Sequence, residues 1–291
     1  MPEVHSPALR RRELGKLLRA LRNQKGLTVE QVADSLLCSP SKVSRMETGQ
    51  GGTTARDIRD LCNLYDVTDE AERDRMMTLA REGKGHARWQ RYELAYATYA
   101  ELEEEALAIS AFQSSGVHGL LHTAGYARAN HESSMPRLDP DQIDLQIEAK
   151  LARQLILTQP DPPSFAVVLD EAALHRMVGG RQVMAAQLAK ILDIAALPNV
   201  KVQILPFELG AHPAMESNFT ILALPNPDLG VVFVEGMIGS TYLDRPEDLK
   251  RYHNVFSELQ SIALNPKDSG DLIAKLFRVY KDGSQTLNAI Q

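Results

Sequence analysis

The sequence predicts two domains of different class: an all-α domain at the N-terminus, then a mixed α/β domain. Three observations carry this expectation. Residues 11 to 82 show only helical periodicity, punctuated by capping residues and glycine stops. The later half holds three β-rich runs, "NVKVQILPF", "NFTILALP" and "GVVFVEG", bounded by Pro, Asn and Gly and set among helical stretches. Charge also divides with the chain: residues 1 to 56 hold 10 Lys+Arg against 5 Asp+Glu, a balance of +5, and the remaining 22 and 33 give −11.

In the first domain, "RRELGKLLRALRN" (11–23) sets Leu14, Leu17, Leu18 and Leu21 at helical spacing, and Gly26 ends the helix. Thr28 opens "TVEQVADSLL", and Thr28 with Gln31 fits the capping box, in which each side chain satisfies a free backbone donor of the first turn. "SPSKVSRMET" follows at once, with Ser39 as N-cap and Pro40 where no N–H is needed. Val43 and Met46 form its inward stripe, leaving Ser41, Lys42 and Arg45 outward with Ser44 at the edge of that face. Two short helices joined by a tight turn meet the requirement of a helix-turn-helix, whose second helix enters the major groove of DNA. A fourth helix over "TARDIRDLCNLYDV" turns Ile58, Leu61, Cys62 and Tyr65 inward, and a fifth begins at Thr68 or Asp69.

Gly83 and Gly85 break the pattern, and a linker is expected over 83–97, where Trp89 lies among Lys84, Arg88 and Arg91. Such a tryptophan either pins one domain onto the next or, with its basic neighbours, touches DNA phosphates. The acidic run "ELEEEA" reads first as a solvated face. In the second domain (98–282), helices are expected at 98–111, 123–131 and 140–157, a buried strand at 165–169 running into a helix, another helix over "GGRQVMAAQLAKILDIAAL", and two closing helices. A helix between the first strand and the next implies a right-handed crossover, hence a mixed α/β layer.

The chemistry-bearing residues exclude more than they assign. No GxSxG, HExxH, P-loop or GxGxxG sequence occurs, so no enzyme is expected and no cofactor is called for. Asp170 and Glu171 with His175 read as acids favoured at a helix start rather than a catalytic set. His118 and His122, four apart, lack a third ligand, so no metal is expected. Cys38 and Cys62 have no metal spacing and read as buried free thiols. No apolar run approaches the ~18 residues that span a bilayer. The basic N-terminus is followed by no apolar stretch, so the expectation is a cytoplasmic protein, associated with the nucleoid when on DNA. Glu235, at the end of a buried strand, is either a ligand-contacting acid or a salt-bridged structural one.

The stretch "LRALRNQKGLTVEQVADSLLCSPSKVSRMETGQ" resembles the XRE (xenobiotic-response-element) type helix-turn-helix, related to the lambda and 434 repressors. The match is carried by Leu21-Arg22, Gly26-Leu27-Thr28, Gln31, Ala33, Val43-Ser44-Arg45, Glu47 and Gly49, and the domain is expected over 8–82. The resemblance implies a lambda-repressor-like fold and recognition of double-stranded DNA by Ser39, Ser41, Lys42, Ser44 and Arg45, with Thr28 and Gln31 near backbone phosphate. Glu47 reads as a partner for an arginine of the first helix, because a carboxylate repels phosphate. The loop "GQGGTTARD" departs from the family, which often has a Pro there.

Further on, "AFQSSGVHGLLHTAGYARA", "LDEAALHRMVGG", "QLAKILDIAALPNVKVQILP" and "GVVFVEG" resemble the C-terminal domain of actinobacterial XRE regulators, a set with WhiJ-type and antitoxin-like members. His118 and His122 stand where that set has Pro and Gln in "PGLLQT". The resemblance implies a transcriptional regulator, a repressor acting as a homodimer on an inverted repeat, controlled through a ligand or a small partner protein encoded nearby. Leu120, Leu121, His122, Tyr126, Arg128 and Glu235 are its candidate contacts. The alternative is an antitoxin-like protein that sequesters its partner and autoregulates its operon.

Overall fold

The computed structural model describes residues 6–84, 89, 92, 96–135, 137–236 and 239–282. The chain divides into two compact units, Met1–Glu105 with Leu224–Gly230, and Ala106–Ala223 with Val231–Gln291.

The first unit contains helices α1 (Pro7–Gln24), α2 (Val29–Ser35), α3 (Pro40–Glu47), α4 (Ala55–Leu64), α5 (Glu70–Glu82) and α6 (Ala97–Glu104). Its core joins Leu14 and Leu18 of α1, Val32 and Ala33 of α2, Val43 and Met46 of α3, Ile58, Leu61 and Cys62 of α4, and Met76 and Leu79 of α5. The first five helices start on caps that the local sequence supplies: Ser6, Thr28, Ser39, Thr54 and Asp69 accept from backbone N–H groups of α1 to α5 in turn. Gly26 has φ +65° beyond the end of α1, a conformation that glycine adopts without strain.

Helix α6 is not the solvated face that its acidic run implies. Glu101 and Glu103 are buried. Glu101 accepts from the Ala8 N–H (2.8 Å) and the Arg11 guanidinium (3.3 Å), and Glu103 accepts from the Tyr99 hydroxyl (2.7 Å). Burial pushes the Glu101 carboxyl up, with Arg11 opposing. Trp89 is buried and donates to Glu104 at 3.0 Å; Arg88 and Arg91, its expected basic neighbours, lie outside the described residues. The unit also takes in the loop 224–230, where Arg12, 2% exposed, donates to the Leu229 and Gly230 carbonyls at 2.6 and 2.9 Å.

The second unit is built on one mixed sheet of six strands, β1 (Ala108–Gln113), β2 (Ser164–Asp170), β3 (Val200–Leu205), β4 (Phe219–Ala223), β5 (Val231–Gly236) and β6 (Gly239–Leu243), in the order β3-β2-β1-β4-β5-β6. Strands β1, β2 and β3 pair in parallel, and β4 to β6 join them antiparallel. Helices α7 (Ala124–Glu132), α8 (Pro140–Arg153), α9 (Glu171–His175), α10 (Arg181–Ala195), α11 (Pro246–Ile262) and α12 (Pro266–Asp282) complete it. An all-α unit followed by a mixed α/β unit is the class the sequence predicts.

Both faces of the parallel strands are buried. Phe112, Val168, Phe219, Ile221 and Val232 form one core with Phe256 and Leu259 of α11, while Ile109, Phe165, Val167, Leu169 and Ile204 are buried on alternate positions. That is why these strands read as continuous apolar runs rather than alternating ones. The outer edge of β3 is closed: the Ile204 N–H donates to Ser269 Oγ, and the Ile204 carbonyl accepts from the Leu264 N–H, both at 2.9 Å.

Two elements differ from expectation. The helix expected over 98–111 stops at Glu104, and β1 starts at Ala108. Leu107 is already in the sheet, donating to the Ala223 carbonyl (2.8 Å) and accepting from the Ser164 N–H (3.1 Å). Pairing with distant strands overrides the helix propensity of "ELEEEALA". Strand β6, "GSTYL", is short and half-exposed, and its five residues give too little alternation to be seen in sequence.

Candidate nucleic-acid interface

The geometry of the paired helices α2 and α3 follows from local chemistry. The Gln31 N–H donates to Thr28 Oγ1 (3.3 Å) and the Thr28 N–H to Gln31 Oε1 (2.8 Å), so both side chains are engaged in the predicted capping box while remaining exposed. The turn reverses through Leu37 at φ 51°, where the Leu side chain is 93% exposed. Ser39 then caps α3, accepting from the Lys42 N–H at 3.2 Å.

Helix α3 is seated by more than Val43 and Met46, which are 1% and 2% exposed. It crosses α1 so closely at Gly15 that a Cβ there would stand 2.5 Å from the Glu47 carbonyl oxygen. Glu47 is buried and clamps the crossing: Arg22 donates from Nε to Oε1 (2.6 Å) and from Nη2 to Oε2 (2.9 Å), while Arg19 Nε lies 3.6 Å from Oε2. The hydrogen bonds with Glu47 hold the Arg22 pKa above its ordinary value against its desolvation. Glu47 therefore pairs with α1, as its charge implies.

The outward face of α3 carries Ser39, Ser41, Ser44 and Arg45, all exposed. Lys42 is different. Its Nζ is 2.7 Å from Asp57 Oδ1, while the other oxygen of Asp57 caps α4 by accepting from the Thr54 N–H (2.9 Å) and hydroxyl (2.7 Å). Burial raises the Asp57 carboxyl, but the hydrogen bonds from Lys42 and Thr54 together outweigh it and hold the pKa below the ordinary value. The sequence signal for this contact is T-x-x-D at a helix start, Thr54 with Asp57. Arg45 makes no ion pair among the described residues.

Other cations of the head are engaged within the unit. Arg10 meets Glu13 and Glu82, Arg11 meets Glu101, and Lys25 meets Asp66. The cationic head thus presents fewer unpaired cations than its sequence count implies, and Arg45 stands out among them.

In the second unit, the candidates on "VHGLLHTAGYARA" lie mostly inside. Leu120 and Leu121 are fully buried in a 3₁₀ turn, Gly119–Leu121, and His122 and Tyr126 are 3% and 2% exposed. His122 Nε2 bonds the Val117 carbonyl (2.7 Å), its ring lies 4.7 Å from the Tyr126 ring, and Tyr126 accepts from the Val117 N–H (3.2 Å). Desolvation holds the His122 pKa well below its ordinary value, with Lys150 adding to the effect. His118 and His122 flank the turn rather than sharing a helix face. Their sequence spacing is that of a helix; the backbone between them is not. Arg128 is exposed and pairs with Asp144. Glu235 is exposed at the end of β5, in register with Ser240, and has no ion pair among the described residues.

Asp170 caps α9 by accepting from the Ala172 N–H (2.8 Å), and Glu171 accepts from the Phe207 N–H (2.9 Å) with His175 Nε2 at 3.2 Å. Both acids serve helix start and loop attachment. Among the described residues no group of three His, Cys, Asp or Glu is arranged to hold a metal, and no helix is long and apolar enough to cross a membrane.

An all-helical unit with a capped α2–turn–α3 pair, joined to a mixed α/β unit, defines an XRE-like helix-turn-helix regulator of two domains. A family described as "Helix-turn-helix domain" matches residues 13–76. A second, "Domain of unknown function (DUF5753)", matches residues 96–275, more than half the chain, and the chain belongs to that family. Neither the curated proteins nor the solved structures contain a match.

Proposed function

We propose that this chain is a sequence-specific DNA-binding transcriptional regulator that lays α3 in the major groove. The observation that carries the reading is the outward face of α3: Ser41, Ser44 and Arg45 exposed, with the Arg45 guanidinium outside every ion pair of the described residues. A guanidinium placed this way matches the paired acceptors of guanine, the commonest base contact made by arginine. Ser39, Ser41 and Ser44 supply short hydrogen-bonding groups beside it. Thr28 and Gln31, exposed at the start of α2, would in this reading meet backbone phosphate, which fixes register rather than sequence. Lys42 serves the interface while bridging to Asp57.

One module of this size reads few base pairs, so a homodimer on an inverted repeat is the economical assembly. The mode proposed is repression by occupancy of the operator, in the manner of the WhiJ-type regulators the sequence resembles, with the α/β unit as the part that controls it. The test is selection of bound sequences from a random duplex pool, then a mobility-shift titration with the enriched duplex. Arg45→Ala is expected to weaken binding by about 1–3 kcal/mol and relax preference at one position of the site. An Arg45→Ala protein with unchanged affinity and preference overturns the reading.

A further inference from the structure

We infer that the second unit carries a binding site for a small diamino monocarboxylic acid, of the kind exemplified by lysine and ornithine. A cleft of about 290 Å³ opens between the loop preceding β4, the end of β6 and the first half of α11. That volume is at the lower end of small-molecule sites. Part of its floor is apolar: Phe219, 2% exposed, meets the Tyr252 ring edge-on at 5.0 Å, with Val255 alongside.

Three charged side chains line this floor, Glu216 from the loop and Asp248 and Arg251 from α11. Asp248 and Arg251 are three apart on one helix, a spacing at which opposite charges ordinarily meet, as Arg10 and Glu13 do at 3.1 Å. Yet none of the three makes an ion pair among the described residues. Two carboxylates and one guanidinium around an apolar strip have a definite complement: two ammonium groups, one carboxylate and a methylene chain between them. A simple amino acid leaves one carboxylate unmatched, and a plain diamine leaves the guanidinium unmatched.

The site deepens the proposed function, since it rests on the α/β unit being the controlling part, but its occupancy is measured without DNA. Calorimetry on the full chain compares L-lysine with norleucine, which lacks the second ammonium, and with cadaverine, which lacks the carboxylate. Lysine is expected to bind at least about tenfold more tightly than either. Asp248→Asn combined with Glu216→Gln removes its advantage over norleucine, and Arg251→Gln its advantage over cadaverine; all three side chains are partly or fully exposed, so none of these changes threatens the fold. Absence of lysine binding, or equal binding of the three probes, overturns the site. Lysine binding that survives in both variants overturns it as well. Lysine binding with unchanged operator affinity refutes control by this ligand, whereas loss of operator binding in Arg45→Ala with lysine binding intact supports two separate sites.

Discussion

Glu47→Ala is expected to unfold the head at far lower denaturant than the parent chain. The Glu47 side chain is 5% exposed and takes two hydrogen bonds from Arg22, 2.6 and 2.9 Å long, with Arg19 3.6 Å away. Breaking one partner of a buried pair costs about 3–5 kcal/mol, because the remaining charge stays desolvated. Arg22 is 13% exposed and keeps its bond to the Leu27 carbonyl, so the lower end, about 3 kcal/mol, applies. Trp89 is the only tryptophan of the chain and is buried in the same unit, so its fluorescence in a urea titration reports this unit. With a urea slope of about 1–1.5 kcal/mol/M, the midpoint falls by about 2–3 M. Arg22→Leu combined with Glu47→Leu should recover most of the loss, since an apolar pair of similar volume replaces a buried ion pair at little cost. A midpoint shift under about 0.5 M, or a double variant no better than Glu47→Ala, refutes the reasoning.

Gly15→Ala places a Cβ 2.5 Å from the Glu47 carbonyl and 2.6 Å from that of Met46; it should destabilise the same transition by about 1–3 kcal/mol, the usual cost of overpacking. Asp57 has a folded pKa below its ordinary value, so its contribution is present above the unfolded pKa of 3.8 and is lost as pH falls through the folded value. Asp57→Asn should therefore flatten the acid limb of the Trp89-monitored stability profile. His131, at the end of α7, is held near 4 by desolvation and by Lys150, so it stays neutral in the fold while the unfolded chain takes up a proton below 6.5. Stability of the sheet unit, followed by hydrogen exchange of the β1 and β2 amides, should fall between about pH 6.5 and about 4, and His131→Gln should make that slope shallower.

What the sequence discloses depends on how far away the deciding partner lies. The caps at Thr28 and Ser39 involve residues three apart, and the inward positions Val43 and Met46 follow from one helical period, so the α2–α3 pair is legible from a short window. Helix α6 and β1 are not. Leu107 is committed to a strand by Ser164 and Ala223, neither of which a local pattern contains. The acidic run before it looks solvated because Ala8 and Arg11, which bury Glu101, lie about a hundred residues upstream. The His118–His122 spacing misleads for a related reason: period alone assumes a helix, and the chain makes a 3₁₀ turn held by Gln154 and Gln187.

The same distance effect separates two lysine and arginine positions that the sequence treats alike. Lys42 and Arg45 both point outward from α3, and charge counting assigns them one role. Lys42 is tied to Asp57, whose second oxygen holds the first turn of α4, so Lys42→Ala leaves a buried carboxylate without its cation as well as removing a charge from the DNA face. Arg45→Ala removes only a guanidinium that no described residue engages. A doubly substituted protein that fails to bind DNA would therefore not distinguish a lost contact from a shifted α3. The Arg45 change alone isolates recognition, and a Lys42→Ala, Asp57→Ala pair tests whether restoring charge balance beneath α3 returns part of the affinity that Lys42→Ala loses.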